Sequence, residues 1–181
     1  MALALFSSLG PTIPASASEF TLRVDGLACP FCAYGIEKKL LRVSGIEKLD
    51  ILIDEGKVVL SWRPGAALDL PALHKAVQDA GFTLRSLIVD QAPGELSRDA
   101  AGNLVLRSLD PSVTFKVQLS DPASLHWASE HPSMPVIASG TVREFTGGIP
   151  VLIASQIVPR SDCAEGRIPL GDGSPSTCSS G

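Results

Sequence analysis

The chain of 181 residues has little aromatic content, one Tyr and two Trp among 5% aromatics, only three His and two Met, and no excess of positive charge. Lys and Arg number 15 against 19 Asp and Glu, a formal net charge of −4. Such a balance argues against a general nucleic-acid binder, which needs a basic, aromatic-studded face. Beyond the N-terminus no stretch of 18 apolar residues occurs, so the mature chain is expected to be soluble. Cysteine is scarce too, at four residues, yet two of them stand as Cys29-Pro30-Phe31-Cys32 behind Gly26-Leu27-Ala28. Two thiols two residues apart can grip one soft metal ion or open and close a disulfide.

The surroundings of that pair are ordered. Residues 20–24 alternate apolar and polar as a half-buried strand would, and Ala33, Ile36, Leu40 and Val43 then recur on one helical face that Gly45 closes. The cysteines therefore belong to a strand-to-helix loop, with Cys32 in the first helical turn, where unpaired N–H groups and the helix dipole favour thiolate. Downstream, Leu49, Ile51 and Ile53 alternate, Asp54-Glu55-Gly56-Lys57 turns, and Val58, Leu60 and Trp62 alternate again, which predicts a hairpin. Asp69 reads as an N-cap with Pro71 in the first turn, Leu70, Leu73, Val77 and Ala80 form a stripe, and Gly81 stops the helix before a fourth strand over 82–89. The order β-α-β-β-α-β over residues 20–90 is the ferredoxin-like pattern, so the expected class is α+β.

With its Gly-x-x-Cys-x-x-Cys loop, the Gly45-Ile46 pair and the closing Asp79-Ala80-Gly81-Phe82, this stretch resembles the heavy-metal-associated domain family. That family includes copper chaperones, the metal-binding repeats of P-type ATPases and the periplasmic mercury-binding protein. The resemblance implies Cys29 and Cys32 as ligands of Hg(II) or Cu(I), with no catalysis and no organic cofactor. The ion would pass by ligand exchange to a membrane metal transporter or another thiol-bearing metal protein. It also tips the choice toward mercury or general heavy-metal capture, with Cu(I) the other natural ion. Zn(II) fits less well, since it wants four ligands and the Cys-x-x-Cys loop holds no carboxylate. Two departures bear on the metal: Leu27 stands where relatives have Met, as an apolar plug of similar size, and Pro30-Phe31 separates the thiols where relatives carry small or polar residues.

The rest of the chain reads as delivery and support. Residues 1–9 are apolar and Ala15-Ser16-Ala17 is a small-x-small cleavage site, so a signal peptide over 1–17 and an exported, periplasmic protein are expected, although no Lys or Arg precedes the apolar run. The domain at 18–90 would be followed by a polar linker at 91–103, a small all-β domain at 104–160 and a mobile Gly/Ser-rich tail at 161–181. Residues 140–152, with Gly147-Gly148 between apolar runs, weakly resemble the last hairpin of an OB-type barrel. Its charges, Arg107, Lys116, Arg143 and Arg160 against Asp110, Asp121, Glu130 and Glu144, leave no basic groove and point to an interaction or scaffold module.

Other residues have a bland reading beside the sharper one. Cys163 and Cys178 form a disulfide, stand idle or exchange metal with the first pair; His126, His131 and Met134 decorate a loop or make a second copper site; His74 packs or sits on the surface. Tyr34 and Phe82 shield the ion, or are a surface and a core residue; Lys38 and Lys39 solvate a helix face or guide docking. The competing function is a thiol-disulfide oxidoreductase, because Cys-Pro-Phe-Cys looks like a glutaredoxin-type tetrapeptide and Ile149-Pro150 like the proline dipeptide that faces such sites. A complete ferredoxin-like unit separating the two stands against it.

Overall fold

A computed structural model of the chain describes residues 18–28, 30–109, 111–119, 121–131 and 133–160. Six elements follow the expected order: β1 (Ser18–Asp25), α1 (Pro30–Leu40), β2 (Ile46–Leu52), β3 (Lys57–Trp62), α2 (Leu70–Asp79) and β4 (Thr83–Arg98). Alternation sends Phe20, Leu22 and Val24 of β1 and Val58, Leu60 and Trp62 of β3 to one buried face. The strands lie in the order β2-β3-β1-β4, every pair antiparallel, and α1 and α2 pack against each other over the buried face. This is the ferredoxin-like arrangement.

Each helix begins and ends for a local reason. Pro30 opens α1, where a missing N–H costs nothing, and Ile36 and Leu40 bury fully beneath it, each contributing ~1.5–3 kcal/mol. Asp69 caps α2, its Oδ1 accepting from the Ala72 N–H at 2.9 Å. After α1 the chain turns through Gly45, whose φ of +101° no β-carbon would tolerate there. A Cβ would stand 2.3 Å from Cζ2 of Trp62. That indole is fully buried, meets the Phe20 ring edge-on at 6.1 Å and donates from Nε1 to the Ala66 carbonyl at 3.1 Å.

Beyond residue 90 the architecture departs from expectation. Residues 91–103 are no linker: β4 runs unbroken to Arg98, and only residues 99–103 turn, held by Asp99, whose carboxylate accepts from the Ala101 and Asn103 N–H groups at 2.9 and 2.8 Å. β4 thus belongs to two structures. Its first part, from Thr83 to Val89, pairs with β1, its middle, from Leu87 to Leu96, pairs with β7 (Met134–Val142), and its end, from Gly94 to Arg98, pairs with β5 (Leu104–Leu109). β5 joins β6 (Ser112–Leu119), β6 runs parallel to β8 (Val151–Pro159), and β8 returns to β7, so β4-β5-β6-β8-β7 closes as a five-stranded barrel. A third helix, α3 (Pro122–Glu130), lies between β6 and β7, where only strands were expected.

The strand changes partners at a bulge. Between Val89 and Ala92 the β4–β7 register shifts, and Gln91 sits at φ 50°, with its N–H donating to Ser139 Oγ at 3.0 Å. Ser139 Oγ in turn donates to Asp90 Oδ1 at 3.1 Å. One hydrophobic cluster runs through both parts, from Leu22 and Leu73 to Phe115 and Leu152. The units also meet where residues 66–68 bridge the start of β6, and where the His74 ring stacks on buried Phe145 at 5.7 Å. His74 is therefore a packing residue. No helix among the described residues is long and apolar enough to cross a bilayer.

Candidate metal centre

The loop of residues 26–28 leaves the end of β1 and delivers the chain into α1, whose third residue is Cys32. Cys29 lies outside the described residues, as do the N-terminal 1–17, with their expected signal peptide, and the tail bearing Cys163 and Cys178. What surrounds the loop is defined. Leu27 is buried, which fits a plug beneath it. Gly26, at φ +92°, lies against Phe82: a Cβ there would meet the ring's Cδ1 at 3.3 Å. Phe82 is half-buried beside the loop, while Tyr34 is 67% exposed and Phe31 91% exposed. The described part of the loop thus lies on apolar groups, with Phe31 and Tyr34 exposed at the start of α1 beside it.

Two ion pairs lie toward the loop, and two lysines close its helix. Arg85 Nε bonds Asp25 Oδ2 across the β1–β4 ladder, so the carboxylate nearest the loop already has a cation. Lys38 and Lys39 occupy the last turn of α1, complementing its negative end. At the end of α2, Lys75 Nζ lies 2.9 Å from Asp79 Oδ1, and this hydrogen bond holds the Asp79 carboxyl below its usual range. The Asp25–Arg85 pair escaped sequence reasoning, since the two residues stand 60 apart and only the ladder joins them.

The other candidates lie elsewhere. His126 Nε2 faces Glu130 Oε1 at 3.7 Å, and His131 stacks on Trp127 at 4.8 Å with Nδ1 2.9 Å from the Trp127 carbonyl. No group of three or more His, Cys, Asp or Glu that could hold a metal occurs among the described residues. Ile149-Pro150 does not face the cysteine loop. It lines a cleft with Asp69, Leu70 and Pro71 at the start of α2, whereas Gly26 and Phe82 lie past that helix's other end, ten residues and ~15 Å away.

Comparison with known proteins points to the same stretch of the chain. Residues 21–83 match the heavy-metal-associated domain. The mercuric transport protein periplasmic component of Pseudomonas fluorescens is 31% identical over 81 residues, 45% of this chain and 87% of that protein. Copper-transporting ATPase 2 of Rhizobium meliloti (strain 1021) is 33% identical over 111 residues, 61% of this chain but only 13% of the ATPase, so the chain spans about an eighth of that relative. Among solved structures, oxidized MerP from Ralstonia metallidurans CH34 matches at 28% identity, covering 38% of this chain and 93% of that one with a TM-score of 0.34. By the near-complete coverage of the mercuric relative, together with the matched domain and the loop that it contains, the chain belongs to the heavy-metal-associated domain family.

Proposed function

We propose that this protein captures a soft metal ion, Hg(II) or Cu(I), between the Cys29 and Cys32 thiolates and passes it on by ligand exchange, as a carrier without a reaction of its own. The observation that carries the reading is the placement of Cys32 in the first turn of α1, directly after a loop floored by Leu27 and Phe82 and inside the matched domain. There the exposed N–H groups and the positive helix end stabilise thiolate, and two thiolates suit a soft ion that prefers low coordination. An attacking thiol can add to an ion held by two sulfurs before either bond breaks, so the ion is never free.

The relatives' names support a reading of the compartment and partner. A periplasmic mercuric component and a copper-transporting ATPase are what this chain is similar to, so we place it outside the cytoplasm, delivering its ion to a membrane transporter or another thiol-bearing metal protein. The barrel, read as OB-type from its five-stranded closed connectivity, serves as a scaffold that covers the β4 edge of the metal-binding sheet. Amide NMR tests the assignment. One equivalent of Hg(II) or Cu(I) added to reduced protein should move the resonances of residues 26–36 and Phe82 and leave residues 104–160 in place. Shifts centred on the barrel, or shifts that survive Cys32→Ser, would overturn it.

A further inference from the structure

At the opposite end of α2 from the metal loop, the ferredoxin-like unit and the barrel enclose a cleft of about 370 Å³. Room for about a dozen waters is enough for a small organic molecule or one to two side chains. Its walls are apolar: Leu68 and Leu70 from one unit face Phe145 and half-exposed Ile149 from the other. Two carboxylates, Asp69 and Glu144, stand at its rim, and no Lys or Arg is among the residues that line it. The positive end of α2 is no open anion site, because Asp69 already caps it by accepting from the Ala72 N–H.

We infer that this junction is a second binding site, independent of the cysteine loop, and that it takes an apolar group carrying an ammonium or guanidinium. The apolar part fills the space between the two units, and the cation meets Glu144 and the outward side of Asp69. An anion of the same shape meets the same walls but two like charges. Because the occupant touches both units, binding also ties the α2 start to the β7–β8 loop.

The test is an amide NMR titration of the full chain, metal-free and reduced, with three probes: phenethylammonium, 3-phenylpropionate, and the capped peptide acetyl-Leu-Lys-Leu-amide. The site predicts that phenethylammonium or the peptide moves the resonances of Ala67, Leu68, Val113, Gly147 and Gly148. Whichever binds more tightly tells whether a free amine or a peptide side chain is the better source of the cation. Phenylpropionate should bind about fivefold or more weakly, and Glu144→Gln, an exposed change that leaves the fold intact, should erase most of that preference. Equal response to both charges, a preference that survives Glu144→Gln, shifts centred elsewhere, or no shift with any probe would overturn the site. None of these readings depends on the cysteines.

Discussion

Replacing Gly45 by Ala should be among the most damaging single-methyl additions the metal-binding unit can suffer. Two costs add. The backbone at φ +101° is hostile to an L side chain, ~1–2 kcal/mol, and the new methyl would stand 2.3 Å from the fully buried Trp62, an overpacking of ~1–3 kcal/mol. The indole cannot simply withdraw, since it is held by Phe20 and by its hydrogen bond to Ala66. The sum is about 3 kcal/mol, or a fall of about 1.5 M in the urea midpoint for a typical denaturant slope. Gly65→Ala separates the two costs: Gly65 also has positive φ, 71°, but nothing lies within 4 Å of the position of its Cβ. It should lose only the backbone part, ~1–2 kcal/mol. If Gly45→Ala and Gly65→Ala shift the midpoint equally, Trp62 does not pack against Gly45 as described.

The shared β4 and the single core make unfolding one event, so in Trp127→Phe the fluorescence of Trp62 and far-UV circular dichroism should give the same urea midpoint. Separate midpoints would show two independent units. Phe145→Ala should cost ~3 kcal/mol, because its buried ring joins the barrel to His74, and a loss below ~1 kcal/mol would deny that contact. The Asp99 carboxyl is held below its ordinary value chiefly by the Asn103 side-chain hydrogen bond. A depressed carboxyl stabilises the fold above the unfolded-state pKa of ~3.9, and that stability is lost as pH falls through the folded value; Asp99→Ala should therefore flatten the acid limb of a stability–pH profile, and an unchanged limb would contradict the turn geometry.

Much of the first ninety residues was legible because their burial alternates or recurs with large side chains: Leu22, Val58, Leu60, Leu73 and Val77 are all fully buried and all apolar by inspection. The cap at Asp69 and the stop at Gly81 also announce themselves. The second half of β4 did not, for a physical reason. Its buried positions are Ala92, Gly94 and Leu96, and two of these are too small to mark an apolar period. Gly94 is small because its backbone packs onto the Arg107 carbonyl, 2.7 Å from where a Cβ would be. Pro93-Gly94 reads as a turn, yet Pro93 sits just ahead of the β4–β5 ladder, which begins at Gly94. α3 was missed because it buries little, with Ala128 enclosed but Leu125 half-exposed, so no stripe shows. Its sign was Asp121-Pro122, an N-cap followed by proline at the first helical position, with Asp121 Oδ2 accepting from the Ser124 N–H at 2.8 Å.

The central claim is that Cys29 and Cys32 together hold a soft ion tightly. It is tested most directly by titrating reduced protein anaerobically with Hg(II), Cu(I) and Zn(II) in turn against a competing chelator, alongside the Cys29→Ser/Cys32→Ser variant. The account predicts one tightly held equivalent of Hg(II) or Cu(I), weaker Zn(II), and loss of that equivalent in the variant. Tight binding that survives the double substitution, or no tight binding of any ion by a pair that instead reduces a model disulfide, would contradict it.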